Sequence, residues 1–334
     1  MDFKWDARKP WHDVHSLRER PEWVSGNYGA FPLYPWTMRG VGRLIQISGL
    51  EPVLANLTAG ILISLLGTLG ALFALESLGR KLFDARTGVL AAVYTEGLFL
   101  GLSFGALALI HGRKPGWASL LICGAVWTRS IGILLWIPLV LEVRIKPVEP
   151  TFPGTGLKRL AHRIQLPLRN PILGCLAIAG PLVSFAVWSA LYGARYRMVQ
   201  LRFHERAIFA PIASAREIGL KLNSFAQGGA WVHPHAQVYQ ALQFLLVGTA
   251  LSSSLWLWRK NRTLAFYSLA MAMTPLLGGQ FVSMARYLLS VPAVYLVPAS
   301  VGARNWAFDR LWTIGSLFLL SLFGALFTFR LWIP

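Results

Sequence analysis

Residues 117–141 read WASLLICGAVWTRSIGILLWIPLVL, an apolar block that carries a single charge, Arg129. A helix needs about 20 mostly apolar residues to cross the hydrocarbon core of a bilayer. Because glycine and proline interrupt this block, the pattern favours either one span or two short helices joined by a turn at residues 128–130. The choice between these alternatives decides the topology of the chain.

Similar apolar blocks fill most of the remaining sequence. They cover residues 52–76, 87–110, 172–194, 237–258 and 309–333, with two shorter runs at 263–277 and 284–302. Hydrophobic residues make up 55% of the 334 positions and charged residues 14%, and the blocks are continuous rather than amphipathic. We therefore predict an all-α, polytopic integral membrane protein with eight to ten transmembrane helices, since an open sheet would leave backbone groups unpaired in lipid.

The net charge of +18 comes from lysine and arginine residues that can be grouped by the loop in which they lie. Compact basic loops are typical of the cytoplasmic side of a membrane protein, and the candidates lie at residues 80–86, 113–114, 142–171 and 259–262. If 87–110 and 117–141 are each split into a helix pair, these loops all fall on one side; with unbroken spans they alternate. The charge is thus explained by membrane topology, and no nucleic-acid partner is expected.

Two units are predicted on this basis. Residues 1–51 form a polar, non-cytoplasmic first loop with an interfacial helix, and residues 52–334 form the multispanning domain. Residues 195–236 mix arginine with apolar residues, which suits one or two helices in the plane of the interface. That segment either anchors to lipid headgroups or binds phosphate. Residues 1–20 lack the apolar core of a signal peptide, so residues 52–76 are expected to act as the insertion signal.

Ionisable residues at membrane depth are costly and are therefore candidates for function. Glu96 interrupts one apolar run, while Arg129 and Arg286 interrupt two others. Guanidinium groups stay charged and bind phosphate or carboxylate oxygens in a fork. The alternatives are an ion pair between Glu96 and one of the arginines, and arginines that extend toward the membrane surface.

Asp6 is the candidate acid or base of the first loop. A carboxylate near a membrane-embedded leaving group can act as general base toward an acceptor hydroxyl; the alternative is a solvated surface residue. The histidines show no metal-ligand spacing, so no metal site is predicted, although the use of a divalent metal stays open. Without a phosphate-binding glycine loop or a Walker lysine, neither ATP nor another cofactor is expected.

Five sequence blocks resemble those of a known family. They are Trp5-Asp6-Ala7; the segment 28–35 with its Ala-Phe-Pro-Leu-Tyr-Pro core; Tyr94-Thr95-Glu96 with Leu98-Phe99; Thr128-Arg129 with Gly132-Ile133-Leu134; and Ala285-Arg286-Tyr287-Leu288-Leu289 with Pro292. In this order they resemble the GT-C-fold, lipid-phosphate-sugar-dependent glycosyltransferases, and among these the PIG-V-like mannosyltransferases.

The resemblance implies inverting transfer of a sugar, with mannose favoured, from a polyprenyl- or dolichyl-phosphate donor to a glycan or glycolipid hydroxyl on the non-cytoplasmic face. It assigns the base or acceptor-orienting role to Asp6 and cavity positions to Tyr34, Glu96 and Arg129. Arg286, with Tyr287 beside it, would contact the donor phosphate.

This chain also departs from the family pattern. The span that usually precedes the Trp-Asp loop is expected to be missing, and a single Phe31 stands where a doubled phenylalanine is common. The first loop is closer to prokaryotic members, which favours a bacterial inner membrane over the endoplasmic reticulum.

Two other functions fit the same sequence. A transporter or flippase for a lipid-linked or anionic solute would also have broken helices and arginine near the midplane, although the two halves of the chain show no convincing internal repeat. An inactive GT-C partner subunit is the third reading, because the first span is expected to be missing.

Overall fold

The computed structural model describes residues 31–83, 97–145, 171–204, 211–226, 234–277 and 287–328. In these residues every regular element is helical, which confirms the all-α prediction. The helices are α1 (Leu33–Gln46), α2 (Pro52–Phe83), α3 (Gly97–His111), α4 (Pro115–Thr128), a 3-10 segment (Ser130–Leu135), α5 (Trp136–Ile145), α6 (Pro171–His204), α7 (Pro211–Ala226), α8 (Pro234–Trp258), α9 (Arg262–Leu277), α10 (Ala293–Gly302) and α11 (Trp306–Thr328).

Three helical segments among the described residues are long and apolar enough to cross a membrane. They are Pro52–Phe83, Gly174–Ala194 and Ala241–Trp258. Shorter apolar helices lie at Gly97–His111, Ser130–Glu142 and Ala293–Gly302. The apolar blocks thus form helices where they are described, while the total of eight to ten spans stays a prediction.

The block 117–141 forms two helices rather than one. α4 ends at Thr128, Arg129 is extended (φ −157°, ψ 132°), and the 3-10 segment leads into α5. Gly132 lies against the backbone of Ala125, so the chain reverses direction at the break. Of the two alternatives for this block, the structure shows the split, with Arg129 at its tip.

α2 and α3 run parallel and in unusually close contact. The backbone of Gly67 meets both Gly97 and Gly101, and Gly97 also lies against Ser64. Small residues allow helix backbones in apolar surroundings to approach in this way. Since the two helices are parallel, the last residue of α2, Phe83, and the first residue of α3, Gly97, lie at different levels along the helix axes. The first half of the block 87–110 lies outside the described residues.

α6 runs parallel to α4. Gly180 lies against Ser119 near the start of α4, and the Trp127 indole nitrogen near its end donates to Ser184 Oγ (3.0 Å). α6 is continuous to His204, so the first ten residues of the segment 195–236 prolong it. α7 then forms a separate helix, on which Ile212 and Leu220 are exposed while Ile218 packs against the core.

α1 lies lengthwise along the first half of α2. Gly60 of α2 faces Tyr34 and Met38, and Gly42 of α1 faces Asn56. These pairs run in opposite directions along the two helices, so α1 and α2 are antiparallel. The start of α1 is therefore held near the middle of α2, at about the level where α3 begins.

Three of the described basic segments lie together at one end of the helices, which we call the basic end. It contains the end of α2 with Arg80 and Lys81, the turn 112–114, and the turn 259–261. The His111 and Asn261 side chains are 2.9 Å apart (Nε2 to Nδ2), and the Phe83 and Trp256 rings are 5.9 Å apart. Splitting the apolar blocks predicts that the basic loops fall on one side, and these basic segments do lie together.

Candidate functional site

The break at Arg129 is held by local hydrogen bonds. The Arg129 amide donates to Ala125 O (2.8 Å), and the Thr128 hydroxyl donates to the same oxygen (2.7 Å). The Gly132 amide donates to Arg129 O (2.9 Å), which starts the 3-10 segment. Backbone groups freed by the break are thus satisfied within a few residues, as a break in apolar surroundings requires.

Gly132 permits the reversal because of its size. A Cβ atom on Gly132 would lie 2.7 to 2.8 Å from backbone atoms of Ala125 and Val126, closer than any real side chain approaches. The Thr-Arg pair and the glycine three positions later therefore form one structural unit. This explains physically why these residue types occur together in that block.

The Arg129 side chain lies between two aromatic rings from distant parts of the chain. Its guanidinium carbon is 5.7 Å from the centre of the Phe99 ring and 5.6 Å from that of Tyr287. Phe99 is almost completely buried, with 2% of its surface exposed, and Arg129 Nη1 is also buried. A cation over aromatic faces is stabilised by the ring quadrupoles, and more strongly when desolvated.

Three of the five sequence blocks therefore meet at Arg129. Phe99 belongs to the block that begins at Tyr94, and Tyr287 to the block that begins at Ala285. Of the predicted site residues, Arg129 and Tyr287 are in direct contact. Sequence reasoning quoted Phe99 within its block but did not assign it to the site, although its place on the first turn of a helix after Glu96 was a usable signal.

The depth of Arg129 follows from helix lengths. α3 and α4 have 15 and 14 residues, which correspond to about 21–22 Å at a rise of 1.5 Å per residue. The hydrocarbon core of a bilayer is about 30 Å thick. Both helices begin or end at the basic end, so Arg129 lies about 20 Å from it, beside the middle of the longer helix α2.

Tyr34 contacts α2 rather than the aromatic pair. Its hydroxyl donates to Gly60 O (3.2 Å) and shares a hydrogen bond with Ser64 Oγ (3.1 Å). The carbonyl of Ser64 accepts the Thr68 hydroxyl (2.8 Å) and lies against Gly97. Tyr34 is thus linked through Ser64 to the first residue of α3, which directly follows Glu96.

Aromatic contacts hold the start of α1 beside α4 and α6. Phe31 stacks on Trp188 (5.6 Å, 6° between planes) and meets Tyr196 edge-on (5.3 Å), while Trp36 lies 5.7 Å from Trp127. The described part of the segment 28–35, residues 31–35, is thereby placed next to the Thr128-Arg129 block. No sequence signal pointed to Trp188, because a tryptophan within an apolar block is ordinarily a packing residue.

Three predicted site residues, Asp6, Glu96 and Arg286, lie outside the described residues. Their roles, including a possible ion pair between Glu96 and an arginine, stay predictions. Within the described ranges, no group of three or more histidine, cysteine or acidic side chains is arranged to hold a metal ion.

No protein-family model, curated protein or solved structure matches this chain. The resemblance to GT-C glycosyltransferases therefore depends on the sequence blocks themselves. The arrangement around Arg129 bears on what those blocks do, and the family assignment stays a hypothesis.

Proposed function

We propose that the chain is a multi-pass membrane glycosyltransferase of the GT-C type. It transfers a sugar, with mannose favoured, from a polyprenyl- or dolichyl-phosphate carrier to a hydroxyl of a glycan or glycolipid acceptor. The reaction takes place on the face opposite the basic end, with a bacterial inner membrane as the favoured location. Transfer proceeds with inversion at the anomeric carbon.

The observation that carries this proposal is the Arg129 side chain between Phe99 and Tyr287 at a helix break. Aromatic rings stabilise a cation through their faces and do not compete for hydrogen bonds with its N–H donors. A guanidinium group can then bind two phosphate oxygens in a fork. Its depth of about 20 Å from the basic end suits a phosphate at the head of a lipid chain.

In the proposed reaction, the acceptor hydroxyl oxygen attacks the anomeric carbon while the bond from that carbon to the phosphate oxygen breaks. The lipid phosphate leaves with the electron pair, and the hydroxyl proton passes to the Asp6 carboxylate. Negative charge on the departing phosphate grows during this step. In this proposal Arg129 stabilises that charge together with Arg286, which directly precedes Tyr287 in the sequence. A preorganised cation in a dry site does so efficiently.

Glu96 and Tyr34 have supporting roles in this proposal. Glu96 directly precedes Gly97 in the sequence, and Gly97 packs against Ser64 near the Tyr34 hydroxyl. Tyr34 holds α1, and with it the end of the first loop, against α2. The start of α1 thereby remains close to the Arg129 break.

The test is transfer of label from radiolabelled polyprenyl-phosphate mannose in membranes that contain the protein. Arg129→Lys keeps the charge but loses the fork, so transfer should fall about a hundredfold, the usual cost of losing one preorganised donor. Arg259→Lys, an exposed arginine at the basic end, is the matched control and should transfer label normally. Full activity of Arg129→Lys at equal expression would contradict the assignment.

The same membranes test the base. Asp6→Asn should abolish transfer while the labelled donor still binds, because the amide cannot accept the hydroxyl proton. Glu96→Gln should lose activity at normal expression if Glu96 lies in the cavity. Robust transfer by Asp6→Asn would remove Asp6 from the mechanism.

A transporter or flippase is the second candidate, and the reversal at Arg129 is the observation that favours it, since broken helices also form transport sites. Sealed vesicles that move the labelled lipid across the membrane without labelling an acceptor would support that candidate. Label in an acceptor supports the transferase.

A further inference from the structure

The basic end brings cations from three separate turns together. The Lys81 ammonium lies 3.7 Å from the place where a Cβ on Gly112 would stand, and Arg113 and Lys114 follow that glycine. The hydrogen bond between His111 and Asn261 fixes the next turn beside them. That turn carries three further cations, Arg259, Lys260 and Arg262.

Acidic groups on the helices that enter these turns are few. Glu76 on α2 pairs with Arg80 (2.6 Å), its neighbour one helical turn away, and Glu142 lies on α5. Gathering exposed like charges costs free energy unless an anion is supplied. An anionic ligand would offset the mutual repulsion of the cations at this end.

Arg113 provides an independent indication. Its φ of +56° places it in the left-handed region, which costs free energy in every residue except glycine. The amides of Arg113 and Lys114 donate to Ile110 O (3.0 Å) and Leu109 O (2.9 Å), the pattern of a helix end at which glycine is usual. An arginine in this position is strained, and such strain concentrates at functional sites.

Exposed tryptophans lie next to the same cations. Trp117 is 63% exposed and follows Lys114 by three residues, while Trp258, 41% exposed, directly precedes Arg259. Tryptophan is enriched at the level of lipid headgroups. The cations at this end are thus placed at the depth of headgroup phosphates rather than in bulk water.

We propose that the basic end binds the phosphate of an anionic phospholipid headgroup, with Lys81, Arg113 and Lys114 as its contacts and the turn 259–262 at its edge. This site lies about 20 Å from Arg129, at the other end of α4, and does not depend on the proposed transferase activity. Basic pockets between membrane helices recognise lipid headgroups through such charges.

The test titrates phosphatidylglycerol into the full chain in mixed detergent–phosphatidylcholine micelles and follows the thermal midpoint. The wild-type midpoint should rise with phosphatidylglycerol. Arg113→Gly should weaken the apparent affinity about fivefold, the effect of one cation near an anionic surface. The same variant should keep or raise the midpoint in phosphatidylcholine alone, since glycine accepts the left-handed conformation without strain.

Two further samples complete the design. Lys114→Gln removes the neighbouring cation at a residue with a negative φ and should weaken binding similarly. Arg39 is an exposed arginine on α1, and Arg39→Gln should bind like the wild type. Unchanged affinity in both Arg113→Gly and Lys114→Gln overturns the site, and equal loss in Arg39→Gln overturns its location. A shift produced equally by inorganic phosphate overturns the assignment to a lipid.

Discussion

Phe99 shows how a residue without chemistry of its own can matter at this site. It is buried, it lies two residues after the start of α3, and its ring faces the Arg129 guanidinium. Within the proposed transferase it acts as a positioning residue, because the ring limits where a desolvated cation can lie. The Tyr287 ring, 5.6 Å from the same guanidinium carbon, does the same.

Replacing Phe99 with leucine should therefore lower the kcat/KM of sugar transfer about tenfold, since a desolvated cation–π contact contributes about 1–2 kcal/mol. Phe104→Leu is the matched control, because Phe104 is on the same helix and equally buried but faces Tyr295 (5.9 Å). Each substitution should lower stability by about 1 kcal/mol, which thermal unfolding measures. If Phe99 only packs, Phe99→Leu and Phe104→Leu should have the same kcat/KM. If the ring face matters, Phe99→Tyr should keep the kcat/KM of the wild type.

At the scale of elements, the contact between α2 and α3 depends on three glycines. Gly67, Gly97 and Gly101 bring the two backbones together where any larger residue would overlap. The hydrophobic effect contributes little between helices that are surrounded by lipid, so close backbone packing has to supply the attraction. The same contact sets the position of Phe99, one turn along α3.

Gly101→Ala should destabilise the protein by about 1–3 kcal/mol, because its Cβ would overlap the Gly67 backbone and the helices would have to separate. Gly248→Ala is the control, since Gly248 lies in α8 with no neighbour within 4 Å of an added Cβ. That substitution should be neutral or stabilising by about 0.5–1 kcal/mol. Thermal midpoints of the two variants in one detergent provide the comparison, and equal midpoints would contradict the close packing.

For the whole molecule, the arrangement of helix ends predicts sidedness. α2 has 32 residues and is about 48 Å long, more than the hydrocarbon thickness of about 30 Å, so we expect its two ends to emerge on opposite sides of a membrane. The turn 47–50 precedes its first end and the basic turns surround its second. Arg129 lies between these levels.

Single cysteines test this arrangement once the native Cys123 and Cys175 have been replaced by alanine. Lys114→Cys and Lys260→Cys should react with a membrane-impermeant maleimide from the same side, and Ser48→Cys from the opposite side. All three positions are exposed, so a failure to react reports sidedness rather than burial. Labelling of Lys114→Cys and Ser48→Cys from one side would contradict the topology.

Sequence patterns located most of the described helices. The apolar blocks correspond to helices because continuous apolar stretches of this length satisfy their backbone groups only within a helix. The break at residue 129 is one of the two alternatives that the glycine and proline of that block leave open. Residues 195–204 were less predictable, because their charge suggested an interfacial segment whereas they prolong α6.

The all-α class and the positions of the apolar helices follow from local composition, because continuous apolar stretches of this length satisfy their backbone groups within a helix. Whether the basic turns meet depends on how the apolar blocks split, so that feature comes from the folded chain, as do the parallel packing of α2 and α3 through Gly67 and Gly97 and the approach of Phe99 and Tyr287 to Arg129. Such contacts join distant residues; Arg129 and Tyr287, for example, are 158 positions apart (287 − 129). They depend on how whole helices pack, which no local pattern specifies.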